Sequence, residues 1–275
     1  MLAMSWLGKF LGGAFGFLLG GPLGAILGAS VGHRFDTGLS DFDLNERFGF
    51  GDKHRIQTAF FTATFAVMGH IAKADGRVSQ AEIDVATRIM DELGLTAQLR
   101  TTAINLFRQG KTKEFPLEDA LGQFRNECRH RHDLLRMFLE IQLQAAMADG
   151  DLDVAKDKIL IAVCKSLGIS RFDYERIKLQ TAAQYRFFRG WQKTQPVRYS
   201  RDGLAAAYTL LGVSENATDA DIKKAYRQLI SRHHPDKLVA KGLPEEMMTL
   251  AKEKTQQITK AYETISEARK RGRSI

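Results

Sequence analysis

The sequence predicts an all-α protein: an N-terminal transmembrane helix, a helical bundle with an internal repeat, and a C-terminal helical hairpin. Three observations predict it. From His54 onward apolar residues recur at helical spacing, and Pro116 is the one proline before Pro196. No stretch alternates apolar and polar residues in the manner of a half-buried strand. Residues 72–95, "AKADGRVSQAEIDVATRIMDELGL", align without gaps to 146–169, "AMADGDLDVAKDKILIAVCKSLGI", at an offset of 74 residues.

The opening stretch "GKFLGGAFGFLLGGPLGAILGASVG" (8–32) has glycine at every fourth position, and Phe10 to Gly32 is 23 residues without a charged side chain. At 1.5 Å per residue such a helix covers about 35 Å, one hydrocarbon core. The run is too long for the apolar core of a secretory signal, and its Phe, Leu and Ile fill is unlike a Ser-rich flexible linker. Glycines four apart drift only about 40° per step around a helix. Gly12, Gly16, Gly20, Gly24 and Gly28 therefore form one ridge of bare backbone on which a second copy packs closely, predicting a homodimer through the membrane segment. Pro22 removes one helical hydrogen bond, so a kinked span and a re-entrant hairpin are both open, with the span preferred. Lys9 precedes the run while Arg34, Arg47, Lys53 and Arg55 follow it, a mild bias toward a cytoplasmic C-terminal side. Residues 1–33 are thus read as the anchor and 34–53, which lack helical periodicity, as a juxtamembrane linker.

The 275 residues leave room for two modest domains beyond this anchor, and the net charge of +8 permits an acidic partner, an anionic membrane surface or nucleic acid. Cys128 and Cys164 are the only cysteines and form no CxxC pair, which fits a reducing compartment and excludes a disulfide scaffold or zinc ribbon.

In each copy of the repeat one helix ends at an Ala-Asp-Gly turn and another begins shortly after. Ile83, Ala86, Met90 and Leu93 share a face in the first copy, as do Leu160, Cys164 and Leu167 in the second. Ser79 and Glu82 make a capping box; Asp153 is the matching cap, although Lys156 replaces the glutamate. The "DGDLD" run is not an EF-hand loop, because Gly150 is second rather than sixth and Leu160 stands at the twelfth position, where Glu is needed. The two hairpins pack into one bundle over 54–185, followed by a basic, aromatic linker over 186–203.

Residues 204–275 form the last domain. Tyr208, Leu210 and Leu211 make a short apolar turn closed by Gly212, and Thr218 with Asp221 caps the next helix. That helix buries Ile222, Ala225, Tyr226 and Leu229 and turns Lys223, Lys224, Arg227 and Arg232 outward. Pro235 stops it, placing His234, Pro235 and Asp236 in a loop. A returning helix over about 245–265 faces Ala251, Ile258, Ala261, Tyr262 and Ile265 inward.

"YTLLGV", "IKKAYRQL", "HPDK" and "AYETI", in that order, resemble the J-domain of the DnaJ co-chaperone family. The resemblance implies that His234, Pro235 and Asp236 trigger ATP hydrolysis by a DnaK-type chaperone. It also implies that Lys223, Lys224, Arg227, Arg232 and Lys237 dock on that partner's acidic surface. Neither a metal site at the tripeptide, an acid/base enzyme nor a nucleic-acid surface accounts for the whole pattern. The repeated "ADG…E" pattern resembles the TerB, or tellurite-resistance, domain. Carried over by position, this implies Asp75, Glu82 and Asp149 as candidate ligands of a divalent metal; otherwise no cofactor is expected. The order of parts resembles the membrane-anchored DnaJ-like proteins of Gram-negative bacteria. It implies a non-enzymatic, single-pass inner-membrane co-chaperone with its short N-terminus outside and its later domains in the cytoplasm, alongside the DnaK-type partner. A cleaved, exported product would miss that partner. The competing reading is a metal-responsive membrane adaptor with the bundle as sensor.

Overall fold

The computed structural model describes residues 21–29, 52–74, 80–93, 95–147, 150, 152–193 and 201–273. All regular structure among them is helical. The chain divides into two compact units: Met1–Ile169 with Lys241–Met247, and Ser170–Ala240 with Met248–Ile275.

In the first unit, helix α1 covers 21–29. Gly21 has φ +62° and Pro22 follows it in the opening turn, where a missing N–H costs no helical hydrogen bond. Pro22 therefore begins a helix. Leu23 and Ile26 are buried, and the Leu23 N–H donates to Gln123 Oε1 at 2.7 Å. No helix among the described residues is long and apolar enough to cross a membrane. Gly12, Gly16 and Gly20 of the expected ridge lie outside the described residues, while Gly24 and Gly28 are half-buried in α1.

Helix α2 (Asp52–Ala72) is the axis of this unit, buried on all sides from Ala59 to Gly69. It is apolar around its whole circumference, which suits a central helix better than a surface one. Around it pack α4 (Ala97–Gly110), α5 (Leu117–Glu127), α6 (His132–Ala146) and α7 (Val154–Leu167); α3 (Gln80–Glu92) lies against α6. Phe60, Phe124 and Phe138, one each from α2, α5 and α6, meet with ring centroids 4.7–6.3 Å apart. The tightest crossing is between α2 and α4. A Cβ on Gly69 would lie 2.0 Å from the Phe107 carbonyl oxygen, and one on Gly110 would lie 1.8 Å from that of Ala66.

The repeat is visible as helix pairs α2–α3 and α6–α7. Ala86, Met90 and Leu93 are buried, as are Leu160, Cys164 and Leu167. The first helices of the two copies pack together, and Gln142 Nε2 donates to the Thr64 carbonyl at 3.1 Å in the core. Asp153 caps α7, its Oδ1 accepting from the Ala155 and Lys156 N–H groups at 2.7 and 3.4 Å.

The second unit begins with α8 (Arg171–Lys193), continuous through residues that the sequence reading divided between bundle and linker. Its C-terminal half completes a different core: Phe187 is buried among Tyr208, Leu211, Ile222, Ile258 and Ile265, with Phe188 packed alongside. Gln180 Nε2 also donates to the Leu210 carbonyl at 3.3 Å, and Gln184 hydrogen-bonds Gln257 and Lys254. The remaining helices are α9 (Arg201–Leu211), α10 (Asp219–His233), α11 (Pro235–Ala240) and α12 (Met248–Arg273). Helices α9, α10 and α11 all pack on α12.

Candidate functional site

The site is assembled at the end of α10. Thr218 starts that helix: its Oγ1 accepts the Asp221 N–H at 3.1 Å and donates to Asp221 Oδ2 at 2.7 Å. Thr218 is thus the N-cap expected from the two residues' spacing, with the Asp221 carboxylate closing on the Thr218 hydroxyl rather than on its backbone N–H. Ile222 and Leu229 are buried against α12, while Lys223, Lys224 and Arg227 are exposed. One helical face therefore carries three cations free of apolar cover. Arg232 is half-buried, and exposed Lys237 donates from Nζ to Ser231 Oγ at 2.6 Å.

Helix α10 stops at His233. His234 takes an extended conformation, φ −62° and ψ 123°, which is what a residue before proline favours. Pro235 and Asp236 do not remain in an open loop. They form the first turn of α11, because proline's fixed φ and missing N–H suit that position. The side chains of His234 and Asp236 are 45% and 86% exposed, with Nδ1 to Oδ2 at 4.0 Å. The tripeptide is thus a corner held by backbone geometry, presenting the Asp236 carboxylate and part of the His234 imidazole to solvent, while His234 Nδ1 is buried without a hydrogen-bond partner. On the flanks of the corner, His233 and Leu238 are buried. Beside it opens a cleft of about 470 Å³, lined by Tyr226, Ile230, His234, Pro235, Thr259 and Lys260. The Tyr226 ring stacks on Tyr262 at 4.4 Å.

Sequence reasoning missed Arg269. Its Nε donates to the Tyr208 hydroxyl at 2.8 Å, one Nη to Asp219 Oδ1 at 2.8 Å and the other to the Glu215 carbonyl at 2.7 Å. The Tyr208 and Asp219 hydrogen bonds raise its pKa above the ordinary arginine value. This one side chain closes the end of α12 over the turn that precedes α10. Its partners lie 50 to 61 residues away in the chain, so no local pattern announces it.

The candidate metal ligands in the TerB-like repeat are Asp75, Glu82 and Asp149. Asp75 and Asp149 lie outside the described residues, as does the Glu82 side chain. No group of three or more His, Cys, Asp or Glu residues suited to a metal ion occurs among the described residues.

Comparison with known proteins covers all three parts of the chain. The co-chaperone DjlA transmembrane domain family matches residues 4–42, the tellurite resistance protein TerB family residues 61–179, and the DnaJ domain family residues 206–273. The co-chaperone protein DjlA of Photobacterium profundum is 46% identical over 269 residues, covering 94% of this chain and 97% of the relative. That of Coxiella burnetii is 44% identical across 97% of this chain and 99% of the relative, and that of Escherichia coli 43% identical across 86% and 88%. No solved structure matches. With similarity of this extent running through anchor, bundle and J-domain, the chain belongs to the DjlA family of membrane-anchored J-domain co-chaperones.

Proposed function

We propose that the chain recruits a DnaK-type ATPase to the cytoplasmic face of the inner membrane and stimulates ATP hydrolysis there, with no catalysis of its own. The observation that supports this is the half-exposed His234-Pro235-Asp236 corner at the end of a helix whose outer face carries Lys223, Lys224 and Arg227. Exposed cations give fast, salt-sensitive encounter with an acidic surface, and the corner then meets the partner in a fixed geometry. Single-turnover ATP hydrolysis by DnaK with the full chain tests this reading. Acceleration by the wild type and none by His234→Gln is expected; no acceleration, or equal acceleration by the variant, overturns it.

The orientation proposed is N-terminus out and C-terminal domains in, supported by Arg34, Arg47, Lys53 and Arg55 following the apolar run. Self-association is proposed to run through the glycine ridge. Replacing Gly16, Gly20 and Gly24 with Leu abolishes membrane dimers on this reading, and unchanged dimerisation refutes it. The TerB-like bundle supplies substrate or regulatory contacts, which crosslinking from the bundle in intact cells would identify.

A further inference from the structure

Among the described residues three large apolar side chains stand in solvent: Val154, Phe172 and Leu179, at 70%, 77% and 56% exposure. Scattered singly, such residues need no explanation. Two of these share α8, seven positions apart, which is two turns or about 10.5 Å along the helix. At about 100° per residue, Phe172, Arg176, Leu179 and Arg186 fall within roughly 80° of arc. Ala183 lies on the same arc and is buried, so the apolar part of the face ends at Leu179.

Exposure on this helix is selective by charge. From Arg171 to Phe188 the exposed residues are Arg171, Phe172, Arg176, Leu179 and Arg186. The two carboxylates of the stretch are half-buried and engaged locally. Asp173 accepts from Ser170 Oγ at 2.7 Å and from Arg176 at 2.6 Å, and Glu175 pairs with Arg171 at 2.7 Å and Lys178 at 3.2 Å. Four cations against two carboxylates leave residues 171–186 at net +2. Exposed ion pairs of this kind are weak. A guanidinium can therefore exchange its carboxylate for a phosphate, which its planar fork matches equally well.

A phenylalanine and a leucine flanked by exposed arginines suit a helix lying in a lipid–water interface, apolar groups below the headgroups and cations among the phosphates. A purely apolar protein surface would cover Phe172 and Leu179 but leave the arginines without anions. An anionic bilayer serves both. The chain is membrane-anchored, so this face meets the bilayer as an intramolecular event at high effective concentration. A contact too weak to recruit a soluble protein is then populated.

We propose that the exposed face of α8, Phe172 and Leu179 flanked by Arg171, Arg176 and Arg186, docks on the anionic surface of the membrane that anchors the chain. The proposal does not depend on stimulation of DnaK.

The test places an NBD fluorophore on Leu179→Cys in the full chain, reconstituted in vesicles of phosphatidylcholine alone or with about 30% phosphatidylglycerol. Cys128 and Cys164 are buried, and the unsubstituted chain is the labelling blank. In anionic vesicles at about 0.05 M salt, emission is expected to be blue-shifted and roughly threefold stronger than in phosphatidylcholine. It falls to the phosphatidylcholine level at about 0.5 M salt, where charges are screened within a few ångströms. The same probe on Phe172→Cys responds alike. Arg176→Gln with Arg186→Gln, both at exposed positions, abolishes the rise while far-ultraviolet circular dichroism stays unchanged. Equal emission in the two vesicle types, or a rise that survives the double substitution, overturns the proposal. Emission that instead climbs with protein density at fixed lipid composition assigns the face to a second copy of the chain and overturns it too.

Discussion

Thr218 and Asp221 show how far a local signal reaches. Both halves of the cap lie within four residues, so spacing and residue type sufficed to place them. Thr218→Ala should cost about 1 kcal/mol, read as a lowered melting temperature of the second unit, while Thr218→Ser should retain most of it. The sequence marked Cys128 as one of two cysteines outside any CxxC pair. It is fully buried, and burial pushes its thiol from 9.0 up to about 12, with Arg131 opposing the rise and Glu127 adding to it. A thiol whose folded pKa lies above its unfolded value favours the native state below the unfolded value. That contribution is lost as pH rises from about 9 toward 12. Native protein at pH 8 should therefore leave Cys128 unalkylated by iodoacetamide, with modification appearing only on unfolding. Prompt alkylation of the folded chain contradicts this.

At the scale of elements, helical stripes were readable because they repeat every turn, and Ile222, Leu229, Ile258 and Ile265 are buried as expected. Boundaries were less readable. The basic, aromatic run around Phe187 has the composition of a linker, yet it continues α8 and closes a core with residues more than twenty positions onward. Removing a buried aromatic leaves a cavity, so Phe187→Ala should destabilise the second unit by about 3–5 kcal/mol. Chemical denaturation followed by near-ultraviolet circular dichroism measures it, and an unchanged midpoint would show that α8 is dispensable to that core.

For the molecule as a whole, the order of motifs carried the family, and the long-range ties did not show. Arg269 and the Lys241–Asp133 pair join residues 50 to 108 positions apart, a separation over which spacing rules say nothing. The exposed cations of α10 imply a global dependence on ionic strength. Raising salt from about 0.05 to 0.3 M shortens the screening length roughly from 14 to 6 Å. The half-saturating concentration for DnaK stimulation should accordingly rise several-fold, while the maximal rate holds. A curve indifferent to salt would assign the encounter to apolar contact instead.

The crossing of Gly69 and Gly110 has a consequence for how this family can vary. Each α-carbon meets the opposing main chain, so the seam contains no side chain that a second mutation could trim. A crowded pair of side chains leaves a route for drift, in which one shrinks as the other grows. Here an alanine at either position pushes against peptide carbonyls, and no substitution at the other makes room. The two positions are closed to compensatory exchange, and Gly69→Ala or Gly110→Ala forces α2 and α4 apart whatever stands at the other position.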